Sequence, residues 1–158
     1  MTISTHLPDS LVNVAGRSLK EVFTKQLRLT LETCSEESDH FDAQTLHASL
    51  SITGERLKGS VLLQVSESFA AKATKIFLGC EGEGDEIRDV TGEICNMVSG
   101  RVKSELTAAG FSGILGTPTV TCGSRIALRE TPGSELCRTE WVCGTDHINL
   151  QILIIIQP

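Results

Sequence analysis

Leu46-His-Ala-Ser-Leu-Ser-Ile-Thr53 alternates strictly, with Leu46, Ala48, Leu50 and Ile52 on one face and His47, Ser49, Ser51 and Thr53 on the other. A two-residue period belongs to a strand with one face on a core and the other toward solvent, so His47 is expected to be an ordinary solvated histidine. Gly54 to Gly59 supplies a turn and Ser60 to Val65 a partner strand, which makes the stretch a β-hairpin.

Helical patterns flank this hairpin. Upstream, Leu11, Val12, Ala15, Leu19, Val22, Phe23 and Gln26 recur at helical spacing after Pro8 and Asp9, and Cys34 to Asp39 is polar and aperiodic, which predicts a loop. Downstream, Ser66 is placed to cap a second helix with apolar members Phe69, Ala70, Ala73, Ile76 and Phe77, ending before Gly79. The loop Glu81-Gly-Glu-Gly-Asp85 is too acidic to cradle phosphate despite its glycines. A third and longest helix is predicted from about Asp85 to Ala109, stopped by Gly110. Four further strands are predicted at Thr117 to Cys122, Arg125 to Leu128, Leu136 to Cys143 and His147 to Ile156.

This order lacks a βαβ rhythm and implies an α+β fold, with helices packed on one face of a mainly antiparallel sheet. Leu150 to Ile156 is nearly all apolar, so that strand is expected to be central or covered on both faces, a second subunit being one source of the cover. At 158 residues the chain suits a single domain over 1–158. Its net charge of -6, from 14 basic and 20 acidic residues, argues against binding nucleic acid or an anionic membrane. The longest apolar run is far shorter than the roughly 20 residues of a membrane span, and the first residues lack the basic and apolar regions of an export signal. A cytoplasmic location is expected. None of the six cysteines forms a C-x-x-C pair, and Cys143 with His147 would not close a metal site, so no metal site is expected and the cysteines read as reduced and structural.

On the third helix, Ile87, Val90, Ile94, Val98 and Val102 form the core stripe, while Asp89, Glu93, Asn96 and Gly100 fall roughly opposite. Gly92, Ser99 and Gly100 lie one turn from Asn96, an arrangement that would let another molecule approach the helix backbone around that amide. Taken without context, this spacing is also that of a solvated helix face.

The wider text Asp89-Val-Thr-Gly-Glu93-Ile-Cys-Asn96-Met-Val-Ser-Gly100, followed by Gly116-Thr-Pro118-Thr-Val-Thr-Cys-Gly123, resembles the CheX-type chemotaxis phosphatases, relatives of CheC and of the FliY flagellar switch phosphatase. In that family an Asp or Ser precedes E-x-x-N by four residues and a Pro follows beyond the Asn, the places held here by Asp89 and Pro118. CheC-type relatives carry two such helices; E-x-x-N occurs once in this chain, at Glu93 and Asn96, as in the single-site CheX type.

The resemblance implies hydrolysis of the aspartyl phosphate on a CheY-like receiver domain, whose own site supplies Mg²⁺ and a lysine, so no cofactor is expected on this chain. It implies that Asn96 orients the attacking water and that Glu93 pairs with the receiver lysine. A carboxamide both donates and accepts hydrogen bonds without a charge that would repel phosphoryl oxygens. Asp89, Gly92, Ser99 and Gly100 are the candidate partner-binding residues, and Pro118 is assigned to structure. The resemblance also implies a homodimer. The alternative function is a noncatalytic adaptor that binds a receiver or flagellar switch component through the same helix face; a small-ligand sensor is a weaker third, since no polar cluster defines a pocket for it.

Overall fold

The structure, a computed structural model, describes residues 7, 9–34, 44–124 and 126–158. In it the hairpin forms β2 (Thr45–Thr53) and β3 (Leu57–Ser66), paired with Leu46 opposite Val65 and Ile52 opposite Gly59. On the far side of β3 follow β7 (Asp146–Ile156), β6 (Ser134–Cys143) and, at the edge, β1 (Glu32–Thr33). The other edge of β2 is shared by β4 (Ile114–Leu115), against Ile52 and Thr53, and β5 (Thr119–Gly123), against Thr45 to Ser49. Every pairing is antiparallel.

Three helices cover the apolar face: α1 (Leu11–Val22), α2 (Glu67–Leu78) and α3 (Gly84–Ala108). The Ser10 hydroxyl accepts from the Asn13 N–H to cap α1, which continues into a π-helical turn at Phe23–Leu27 and ends at Arg28 with φ 54°. Ser66 caps α2 by accepting from the Phe69 N–H, as its position predicts. Phe23 stacks on Phe69 at 5.4 Å between ring centroids, joining α1's exit to α2. Ile76 and Phe77, expected on α2's core stripe, are 43% and 39% exposed; the buried face is Phe69, Ala70, Ala73 and Thr74. The expected loop after Cys34 and the Pro8 start signal lie outside the described residues.

The final strand is central, flanked by β3 and β6. Its Ile148, Leu150, Ile152 and Ile154 are buried under the helices, and Asn149 and Gln151 are buried on the opposite face. That second cover comes from the chain itself. After β5 the backbone returns across this face, where Leu128 N–H donates to Gln151 Oε1 at 2.9 Å and Arg138 donates to the Leu128 carbonyl at 2.7 Å. Residues 126–128, expected as a strand, therefore form none, because side chains rather than a ladder satisfy Leu128; Arg125 lies outside the described residues.

His47 is not solvated but 1% exposed. Alternation assigned it correctly to the polar face, yet that face is closed here, with the end of β5 at Gly123 against the ring. Its Nε2 lies 3.1 Å from the Gly123 carbonyl and 2.9 Å from Thr45 Oγ1, and the Gln64 amide donates to Thr45 Oγ1 at 3.0 Å. Burial holds the imidazole pKa below its ordinary value, partly offset by the Gly123 carbonyl. The unfolded chain takes up this proton near pH 6.5 and the folded chain only at lower pH, so the stability from a neutral His47 is complete above about pH 6.5 and is lost as pH falls through the folded value. Urea midpoints are expected to fall between pH 7.5 and 5.5, and to fall less in His47→Gln. An equal drop in both proteins would place the titration elsewhere.

The turn joining β6 and β7 is fastened to the start of α2. Asp146, buried, accepts from the hydroxyls of Ser66 and Ser68 and from Lys72 Nζ at 2.8 Å. Burial raises the Asp146 carboxyl's pKa, but Lys72, Ser68 and Ser66 outweigh it and hold the carboxyl below its usual range. Hydrogen bonds to a charged acceptor are worth about 1.5–3 kcal/mol. Asp146→Ala is expected to cost about 2–3 kcal/mol in denaturant unfolding, and Asp146→Asn less.

Candidate functional site

The site helix α3 is long because both ends are fixed. At its start Glu83 N–H donates to the Glu86 carboxylate at 3.1 Å, with Asp85 and Glu86 in the favourable first turn. Beyond its end Gly110 takes φ +94°, a left-handed conformation that suits glycine. Val90, Ile94, Val98 and Val102 are buried as the stripe requires, and Ile87 is half-buried.

The buried face is wider than that stripe. Thr91, Cys95 and Ser99 form a second row, also buried, because α3 lies over β2 with α1 and α2 at its flanks. Small side chains let the helix lie close to the sheet: Cys95 Sγ donates to the Ala48 carbonyl at 3.3 Å, and burial pushes that thiol up to about 12. Ser99, a candidate partner-binding residue, is 0% exposed and 4.0 Å from Cys95 Sγ. At that burial it offers no surface outside the chain, and its smallness serves helix-to-sheet packing.

Gly92 is buried as well, for a different reason. A Cβ there would lie 3.3 Å from Val120 Cγ2 and 3.6 Å from Pro118 Cβ. Its missing side chain lets the segment Gly116 to Val120 close against α3. That segment is anchored where Gly116 N–H donates to the Ser51 carbonyl at 2.8 Å, and a Cβ on Gly116 would meet Ser51 Oγ at 2.6 Å.

Between the two walls runs an open groove of about 370 Å³. Arg88, Asp89, Gly92, Glu93 and Asn96 line it from α3, and Gly116, Thr117, Pro118 and Val120 from the opposite wall. Asp89 and Glu93 are exposed and Asn96 is half-buried. Among the described residues, neither the Glu93 carboxylate nor the Asn96 carboxamide meets a hydrogen-bond or ion-pair partner. Gly100 is half-buried with open space where a Cβ would stand, one turn beyond Asn96.

The structure thus brings together Asp89, Gly92, Glu93 and Asn96 with Pro118, keeps Gly100 beside them, and seals Ser99 away. Sequence reasoning missed Arg88, which shares one helical row with Gly92 and Asn96 at four-residue spacing, a signal available in the sequence. It also gave the segment Gly116 to Val120 no role as a groove wall. Cys143 and His147 occupy adjacent register positions on opposite sheet faces, Cys143 facing Asp146 and His147 facing Val142. Among the described residues, no three His, Cys, Asp or Glu side chains converge on a point that could hold a metal ion. No described helix is long and apolar enough to cross a membrane.

The fold agrees with those of solved chemotaxis proteins. The crystal structure of chemotaxis protein CheX from Vibrio vulnificus aligns with TM-score 0.76 at 25% identity, over 90% of this chain and 97% of that one. A CheC-like chemotactic protein from Shewanella oneidensis aligns with TM-score 0.73 at 20% identity, over 90% and 96%. CheX in the CheX-CheY-BeF3-Mg²⁺ complex from Borrelia burgdorferi aligns with TM-score 0.69 at 14% identity, over 92% and 98%. No curated protein matches the chain at a significant level. Residues 46–140, which contain the hairpin, the whole of α3 and the groove wall, match the family described as chemotaxis phosphatase CheX. The chain belongs to the CheX family of chemotaxis phosphatases.

Proposed function

We propose that this protein hydrolyses the aspartyl phosphate of a CheY-like receiver domain, with α3 docked over the receiver's phosphorylation site. The observation that carries the reading is an unengaged carboxamide, Asn96, half-exposed in an open groove beside an unengaged carboxylate, Glu93. A residue kept for stability at such a position would be expected to have a partner inside the chain. The Borrelia burgdorferi complex, which holds CheX together with CheY, BeF3 and Mg²⁺, supports a receiver as the partner.

In this mechanism the Asn96 side chain enters the receiver's site and hydrogen-bonds a water in line with the phosphorus. Attack forms a new P–O bond to that water while the bond to the receiver aspartate breaks, returning its electron pair to the aspartate carboxylate; the water's proton leaves with the phosphate or to solvent. The receiver supplies Mg²⁺, which neutralises the phosphoryl oxygens. Glu93, too close in charge to those oxygens to serve as a base, pairs with the receiver's lysine and sets the register of the docked helix. Asp89 and Gly100 extend the contact along α3. Positioning one water is worth about 2–4 kcal/mol, about thirty- to several-hundredfold in rate.

A homodimer belongs to the proposal. The expectation tied it to the apolar final strand, which is central in the sheet, with Asn149 and Gln151 buried on its second face and Leu153 and Ile155 half-buried there. Exposed strand backbone lies on β6, which pairs with β1 only at Trp141 and Val142 and has no other strand on its outer edge among the described residues.

Phosphate release from Mg²⁺-loaded, phosphorylated receivers of the protein's own cell tests the activity. Shortened phosphate lifetime at substoichiometric protein is the expected result. Tight binding with an unchanged lifetime would replace the enzyme reading with the adaptor.

A further inference from the structure

Resting on the reading that the groove receives a receiver's phosphorylation site, we infer that Arg88 is a specificity-determining contact, one that takes a carboxylate on the docked domain while Glu93 takes its ammonium. Arg88, Gly92 and Asn96 lie on one row of α3 facing the wall Gly116 to Val120, with Gly92 buried between the other two beneath Pro118 and Val120. Arg88 and Asn96 therefore stand at opposite ends of the groove, about 12 Å apart along the helix axis. Among the described residues that line the groove, Arg88 carries the one positive charge.

Among the described residues, that charge meets no ion-pair partner. The guanidinium donates to Cys122 Sγ at 3.4 Å, and sulfur is a weak acceptor. Among the described residues no carboxylate lies within ion-pair distance of Arg88, although Asp85, Glu86 and Asp89 share its end of the helix. By contrast, Arg17 is paired with Asp9 and Glu105, and Arg101 with Glu21. Cys122, on β5, thus steadies the guanidinium and leaves most of its donors available.

An arginine fork matches carboxylate or phosphate. A phosphoryl group at Asn96 lies farther along the groove than an arginine side chain extends, so the partner of Arg88 is a carboxylate on the receiver surface. Glu93 and Arg88 are five residues apart, about 7.5 Å of helix axis. The docked domain is accordingly selected by a cation and an anion displayed at that separation, and a receiver lacking the acid, or bearing a base there, is rejected.

The test uses receivers loaded with Mg²⁺ and beryllofluoride for binding, and phosphorylated receivers for turnover. Arg88→Glu is expected to raise both Kd and the half-saturating receiver concentration by about tenfold or more, to flatten their salt dependence, and to leave kcat within about twofold. Arg88→Lys is expected to retain most of the affinity, and a receiver whose contacting acid is changed to lysine is expected to restore binding by Arg88→Glu. An unchanged half-saturating concentration in Arg88→Glu, or a fall in kcat alone, overturns the inference; circular dichroism of Arg88→Glu, an exposed position, confirms that the fold is intact. A wild-type protein that binds through Arg88 without shortening phosphate lifetime would sink the phosphatase reading and leave this contact standing. The reverse pattern would sink only the contact.

Discussion

Asn96→Ala is expected to return phosphate loss from the receiver to its unassisted rate, a drop of about thirty- to several-hundredfold, with the fold intact and receiver binding nearly unchanged. Nothing within the chain depends on this amide, since among the described residues it has no hydrogen-bond partner. Alanine is also the better helix former by a few tenths of a kcal/mol. The loss therefore falls on kcat rather than on stability or affinity, the signature of a group that acts on the reacting water. Asn96→Asp sharpens the test. It keeps the size and one acceptor oxygen but loses the N–H donors and adds a negative charge beside the phosphoryl group, so it is expected to be as inactive as alanine. An active Asn96→Asp protein would mean that the side chain works as a base, and a fully active Asn96→Ala protein would remove it from the chemistry.

Gly92→Leu is expected to have the next largest effect, through binding. Even a bare Cβ at this position sits 3.3 Å from Val120 Cγ2, closer than side chains ordinarily pack, and the rest of a leucine has only the groove to occupy or the opposing wall to displace. Either outcome removes the space between Asn96 and Pro118 that the docked domain needs. Affinity for a beryllofluoride-loaded receiver is expected to fall by more than about tenfold. Replacing a mid-helix glycine recovers about 1 kcal/mol of helix propensity, so the melting temperature need not fall in step with function. A Gly92→Leu protein that binds as the wild type does would show that the groove is not where the partner sits. Gly92→Ala is expected to be milder, since Val120 must yield by only a few tenths of an ångström.

Much of this architecture is legible in the sequence because the residues that decide it speak locally. The two-residue alternation of β2 predicts which of its residues face the core, though β3 starts at Leu57, inside the expected turn Gly54 to Gly59; the spacing of Val90, Ile94, Val98 and Val102 predicts the core face of α3. Ser66, Gly79 and Gly110 mark helix ends by their own conformational preferences. What misleads is whatever depends on a second element. Alternation says which way His47 points but not that the end of β5 at Gly123 meets its ring and leaves it buried. Residues 126–128 follow a turn signal as a strand would, yet the Leu128 backbone bonds to the Gln151 and Arg138 side chains instead of to a strand. At the site, small residues beside Asn96 admit two readings, and the structure divides them: Gly100 leaves space open to the outside, Gly92 admits a neighbouring wall of the same chain, and Ser99 admits the sheet. Smallness on a helix states that something approaches closely without naming what. Arg88 escaped notice for a related reason, since its importance comes from the opposite wall, which turns a helix row into one side of a groove.

The most direct measurement is a crystal structure of this protein bound to its receiver loaded with Mg²⁺ and beryllofluoride. The account predicts the Asn96 carboxamide inside the receiver's site, within hydrogen-bond distance of a water in line with the aspartate–beryllium bond, and Glu93 paired with the receiver's lysine. A complex in which α3 contacts the receiver away from its phosphorylated aspartate, with Asn96 facing bulk solvent, would contradict it.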